Sequence, residues 1–193
     1  MEIDPSEQAG SLYRTLSGAV VPRPIGWIST RSAEGEDNLA PYSFFNVASV
    51  DPPVLLFAPV DADDGLKDTP RNVVDTEAFA HNVVTADLVG SMNETATSHA
   101  VDEFERAGVT KAECTSVDAP YVAEAKVAFE CELYEFVDIG VSSLVLGEVT
   151  HVHVDDEVTT DGKLDTTKLD AVGRLAGSEY AYTRDRFALE RPD

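Results

Sequence analysis

Hydrophobic residues in this chain come in short bursts separated by polar turn-formers, and few bursts reach helix length. Residues 25–30 form a compact apolar run that predicts a short buried strand. The polar cluster 32–37 follows, with Gly35 free to take a positive φ, so the next strand is expected to return antiparallel. Asp51, Pro52 and Pro53 then break the ladder, because two prolines supply no N–H donors. The unbroken apolar run 54–58 predicts a strand buried on both faces.

Helical signals are short. Thr69 before Pro70 reads as an N-cap with proline at the first helical position, opening a helix through Val73 and Val74. Thr85 is expected to cap a helix over 86–92, and a helix over 102–107 ends at Gly108. Residues 78–84 lie between them as a strand candidate. Further on, Val127, Phe129, Cys131 and Leu133 alternate with Ala128, Glu130, Glu132 and Tyr134, the pattern of a half-buried strand. Residues 143–154 form another long strand, with Leu144, Leu146, Val152 and Val154 assigned to one face, and 169–182 read as a short, partly helical return. Many short strands with few short helices predict a mainly β protein, a β-barrel with short capping helices, in one domain over residues 1–193. A doubly wound α/β fold would need long helices alternating regularly with strands.

Composition adds one large fact. Thirty-six acidic residues face fourteen basic ones, a formal net charge of −22 in 193 residues, while 43% apolar content is ordinary for a folded domain. So acidic a surface repels nucleic acid and anionic lipid, which excludes both as partners. The acids are spread along periodic segments instead of gathered in a tail, a pattern that fits adaptation to high internal salt and a halophilic source. The N-terminus has neither a basic n-region nor an apolar h-region, and no apolar run approaches a membrane span, so a cytoplasmic location is expected. Cys114 and Cys131 show no metal-ligand spacing and read as packing residues, with one bridge between them left open.

Candidate chemistry gathers around the first strands. Ser29 and Thr30 end one strand with adjacent hydroxyls, and Ser43 and Asn46 follow on the returning one. Trp27, Tyr42, Phe44 and Phe45 could face a planar ring, though alternation splits them between core and ligand. Lys67 and Arg71 flank a helix N-terminus in a chain poor in cations, and hydroxyls, cations and free N–H groups together suit a phosphate. The acidic run 61–65 beside Lys67 raises the cost of binding a dianion there. His151 and His153 share a strand face, but zinc or iron needs a further ligand, and no matching His or Cys cluster accompanies them; no metal is expected. There is no GxGxxG, P-loop, HExxH or GxSxG, so neither a Rossmann-held nicotinamide nor a catalytic triad is indicated, and no catalytic residue is assigned.

Six segments, 22–30 (PRPIGWIST), 38–46 (NLAPYSFFN), 51–53 (DPP), 67–69 (KDT), 147–154 (GEVTHVHV) and 173–180 (GRLAGSEY), together resemble the flavin reductase-like family with the FMN-binding split barrel. The resemblance covers nearly the whole chain and includes the flavoredoxin-like branch. It implies a homodimer holding FMN non-covalently near the subunit interface. Carried over by position, Ser29, Thr30, Ser43, Lys67 and Thr69 would hold the phosphate and ribityl chain. Pro41, Tyr42, Phe44 and Asn46, with Trp27, would line the isoalloxazine through side chain or backbone, and Met92 and Asn93 would approach the ring edge. The implied activity is an NAD(P)H-dependent flavin reductase passing electrons from NADH or NADPH through FMN to a small-molecule or redox-protein acceptor. The alternatives are an FMN electron carrier without nicotinamide turnover and a small-molecule-binding barrel without redox function.

Overall fold

The structure, a computed structural model, describes residues 2–6, 12–60, 65–97 and 99–192. The first half runs α1 (Tyr13–Ala19), β1 (Arg23–Pro24), β2 (Gly26–Arg31), β3 (Asp37–Tyr42), β4 (Phe45–Val50), β5 (Pro53–Phe57), α2 (Asp68–Thr76) and β6 (Ala78–Asn82). Then follow α3 (Val89–Glu94), α4 (Glu103–Ala107), β7 (Lys111–Glu113), β8 (Pro120–Val122) and two thirteen-residue strands, β9 (Val127–Ile139) and β10 (Ser142–Val154). The chain ends with β11 (Thr159–Thr160), β12 (Lys163–Leu164), α5 (Thr166–Leu169), β13 (Val172–Arg174) and β14 (Tyr180–Tyr182).

Seven strands pair in the order β3-β2-β6-β9-β10-β5-β4, every neighbour antiparallel. The sheet coils until Phe45 of β4 meets β2: a Cβ on Gly26 would lie 2.6 Å from the Phe45 ring. The protein is therefore mainly β, a barrel with short helices on its flanks. Ile28, Phe57, Phe79, Cys131 and Val145 fill its interior, and Val73 of α2 joins them from one end. A second cluster, with Trp27, Leu39, Met92, Phe104 and Val122, lies on the outer face of β2 and β3 beneath α3, α4 and β8. Both thiols are free; burial pushes the Cys114 thiol up to about 12 and Cys131 higher still, as inert packing groups.

Several sequence expectations are met closely. The turn at Gly35 has φ 87°, β3 returns antiparallel, and α4 ends at Gly108 in the left-handed conformation, although Asp102 is its N-cap and not its first residue. Others are corrected. The α2 helix begins at Asp68 with Lys67 as its N-cap, so Pro70 is its third residue, where the missing N–H still costs no helical bond. Thr85 caps nothing; its hydroxyl bonds Asp87, and α3 starts only at Val89. Residues 172–182 are mostly β, as β13 and β14 complete a three-stranded sheet with β1. α1 has no counterpart in the sequence reading: Arg23, buried, donates to Ser17 O, Val20 O and Leu175 O and so ties α1 to the chain after β13.

The face assigned to β10 is also corrected. Val145 is fully buried and Leu144 and Leu146 only half-buried, while Val152 and Val154 are exposed. Leu144 and Leu146 simply alternate with the buried Ser143, Val145 and Gly147, whereas the register shift between Val149 and His151 leaves Thr150 as an extra residue of β10 and reverses the alternation of Val152 and Val154. Gly147 marks the interior: a Cβ there would stand 2.2 Å from Phe79 Cζ. Gly147→Ala is expected to destabilise the fold by about 1–3 kcal/mol through overpacking, measured by urea unfolding. An unchanged midpoint would show that Phe79 has room to move.

Candidate functional site

α2 lies across the inward-facing side chains at the end of β2 and β3. Asn38 Nδ2 donates to Thr69 Oγ1 at 2.7 Å, and Asn72 Nδ2 donates to Thr30 Oγ1 at 3.0 Å. Tyr42 packs on Phe57 with ring centroids 5.0 Å apart, and burial pushes its phenol up to about 12, partly offset by a hydrogen bond with Thr69. The first intrahelical bond of α2 runs from Arg71 N to Lys67 O at 3.1 Å. The N–H groups of Asp68 and Thr69 therefore have no partner within the helix. Arg71 is turned onto Asp68, whereas Lys67 is exposed and its side chain does not cap the helix. The acidic run expected beside Lys67 falls on residues 61–64, outside the described residues.

The twelve residues named from sequence divide into groups. Thr30, Tyr42, Lys67 and Thr69 come together around α2. Ser29 does not join them, because strand alternation sends adjacent side chains to opposite faces. Its hydroxyl points outward, fully buried, and donates to Pro120 O at 2.6 Å. Trp27 is likewise 0% exposed, its Nε1 donating to Thr95 Oγ1 at 2.9 Å, so ring contact through its face is replaced by a packing role. Met92 packs in the same outer cluster. Ser43 and Phe44 form the bend between β3 and β4 instead of continuing a strand; Phe44 lies 6.3 Å from the Tyr13 ring, with the Arg23 guanidinium 5.7 Å from its centroid. Pro41 is half-buried opposite Trp27, and exposed Asn46 accepts from Val47 N. Asn93 stands apart, its Oδ1 3.4 Å from the Tyr180 hydroxyl, which also accepts from Arg174. Two surface grooves, one of about 480 Å³ beside Lys126 and Arg184 and one of about 380 Å³ beside Thr76 and Glu132, are lined by none of the twelve.

Two further groups, neither of them assigned a role from sequence, lie in unusual environments. His81 is buried inside the barrel, stacked between Phe45 at 4.2 Å and Phe129 at 5.6 Å, with Nε2 3.2 Å from Ile25 O and Nδ1 without a partner among the described residues. Burial outweighs the Ile25 contact and lowers its pKa to about 4. Glu130 is 0% exposed, although alternation had placed it on the outward face. The chain between β7 and β8 folds over it, and its oxygens accept from Thr115 N, Ser116 N and Ser116 Oγ, while His153 Nε2 lies 2.6 Å away. Burial pushes this carboxyl up, but the bonds from Ser116, Thr115 and His153 together hold it down at about 2. A carboxylate therefore stands beside His151 and His153 that the sequence alone does not place there. Only the alternation of β9 hinted at it, and nothing local announced the covering loop.

The chain belongs to the flavin reductase like domain family, which matches residues 17–187. Among solved structures it is similar to nitrilotriacetate monooxygenase component B from Bacillus cereus, at 30% identity and TM-score 0.93 over 98% of each chain. It is also similar to the 2-nitrobenzoate 2-nitroreductase NbaA of Pseudomonas fluorescens, at 31% identity and TM-score 0.90 over 100% of this chain and 96% of that one. A protein from Shewanella frigidimarina described as a flavin reductase with a split-barrel domain superposes with TM-score 0.81 at 23% identity over all of both chains, which identifies the barrel as a split barrel. Among the described residues no helix is long and apolar enough to cross a membrane.

The unfolded chain's His81 takes up a proton near its ordinary 6.5, the folded one only near 4. Its contribution to stability is therefore complete above about pH 6.5 and is lost as pH falls toward 4, on the order of 3 kcal/mol. Urea unfolding of wild type and His81→Leu between these pH values is expected to show a shallower acid loss in the variant. Equal slopes would remove His81 from the acid response.

Proposed function

We propose that the protein is an FMN-binding flavin reductase that takes electrons from NADH or NADPH and delivers them to an acceptor. The observation that carries this reading is the N-terminal turn of α2, with two N–H groups free of helical bonds and Lys67 beside them, in a chain of the flavin reductase family. That turn fits an anionic phosphate: the helix dipole and Lys67 favour negative charge, and no salt bridge among the described residues occupies Lys67. Lys67 and the backbone of Asp68 and Thr69 would hold the phosphate, with Ser43 within the neighbouring bend. Tyr42 and Phe44 would offer flat surface to the ring and keep water from it, and Pro41, whose side chain faces away from that of Tyr42, would contribute through its backbone. When bound, the flavin supplies the redox chemistry: hydride accepted from the nicotinamide, electrons then passed on.

The similarity to a monooxygenase component B supports a role as the reducing partner of a second protein or of free flavin. The similarity to a nitroreductase supports the alternative that the acceptor is a small organic molecule reduced on the same protein. Val47 and Val50 are 56% and 86% exposed on β4, an edge strand of the sheet, and this apolar edge is the surface that a homodimer would cover. The net charge of −22 supports a cytoplasm rich in salt, where screening removes self-repulsion.

Bound flavin is expected to bleach on mixing with NADH or NADPH in a stopped-flow spectrometer, and Lys67→Ala to retain FMN about tenfold less well or worse with its fold intact. No bleaching by either donor would leave an electron carrier, and unchanged FMN affinity would move the phosphate site elsewhere. Sedimentation and thermal melting from low to molar KCl should give a dimer mass and a melting temperature that rises with salt. A monomer throughout would remove the dimer, and a flat or falling melting temperature the salt adaptation.

A further inference from the structure

We propose that Glu130, His151 and His153 form a binding site for a divalent transition-metal ion of the zinc type, on the outer face of the barrel and separate from the α2 turn. The donor atoms of these three side chains all lie within 4.8 Å of one another. Their meeting is built by the backbone. Cys131 pairs with Val149, so strict alternation would set Thr150 opposite Glu130 and turn His151 inward. The register shift between Val149 and His151 takes Thr150 out of the pairing, and His151 stands directly opposite Glu130. His153, two residues on, shares that outer face.

The surroundings orient each ligand. Ser116 and the N–H groups of Thr115 and Ser116 hold the Glu130 carboxylate, and Thr150 Oγ1 braces Ser116 Oγ at 2.6 Å. The Tyr121 ring stacks on His153 at 4.3 Å and 16°, and the His151 ring stands edge-on to His153 at 4.9 Å. Two imidazoles and one carboxylate, the latter fixed by hydrogen bonds, are the donor set of a three-ligand zinc site that leaves solvent a fourth position. His151 is exposed, which gives an ion its way in. Binding replaces the His153 Nε2···Glu130 Oε1 hydrogen bond by an ion bridging the two atoms, and the imidazole proton moves to Nδ1. The ion would also lock the chain between β7 and β8 against β9 and β10.

The test is calorimetric titration of ZnCl2 into the untagged, chelator-treated full chain, in high NaCl with excess Mg²⁺ so that the acidic surface is screened. One Zn²⁺ per chain is expected, weakened at least about tenfold in His151→Ala and in His153→Ala and unchanged in His99→Ala. His151→Ala is an exposed substitution and keeps the fold, so it is the deciding variant if His153→Ala loosens the loop. Co²⁺ in place of Zn²⁺ should give visible absorption bands in wild type that His151→Ala lacks. No saturable Zn²⁺ binding, or equal affinity in wild type and His151→Ala, overturns the proposal.

Discussion

Strand β2 is buried on both faces, and the remaining elements supply a partner to each of its buried polar side chains. Inward, Ile28 joins the barrel interior and Thr30 accepts from Asn72 of α2. Outward, Trp27 and Ser29 are covered by α3 and β8 and bond to Thr95 and Pro120. Asn82 closes the arrangement: its Nδ2 donates to Trp27 O and Ser29 Oγ, and its Oδ1 accepts from Val122 N. One carboxamide thus joins β2, β6 and β8, and removing it would orphan buried groups on all three, the costly direction of hydrogen-bond loss.

A strand so fully enclosed offers no open surface along its middle, so accessible surface lies at its ends and at the rims of the barrel. The few cations follow the same logic. Arg31, at the end of β2, is ion-paired with Asp37, Glu113 and Asp118, and its bonds to Glu113 and Asp37 raise its pKa further above the ordinary value. Lys111 bridges Asp37 and Asp102 above the Phe104 ring. These two side chains fasten β7, the chain just before β8 and the start of α4 onto the outer face. Lys67, by contrast, stands exposed at a helix start, where its charge is available to something other than the fold.

The outer layer also explains why the candidate site was only partly legible in the sequence. Trp27 and Ser29 carry a ring and a hydroxyl of the right kind for a flavin, and nothing local distinguishes a ligand-facing indole from one packed under a helix. Thr30, Tyr42, Lys67 and Thr69, each at or near a strand end or helix start, are the named residues that the structure brings together around α2. The separation of Asn93 from them required knowing that α3 turns toward β13 and β14. Glu130 shows the same limit in reverse: its alternation is that of a solvent-facing residue, and a loop distant in sequence makes it a buried one.

Local signals along the chain were enough for the short strands around Gly35 and the two prolines, the helix that ends at Gly108, the mainly β class and the family. Those features depend on backbone freedom, missing N–H donors and side-chain period, all written within a few residues of where they act. Tertiary structure alone decided which face of each strand is covered, because burial depends on what returns from elsewhere in the chain. It also decided the parity of β10, since a register shift of one residue reverses every side chain beyond it. The meeting of Glu130 with His151 and His153 is the product of both decisions, a covering loop and a shifted register.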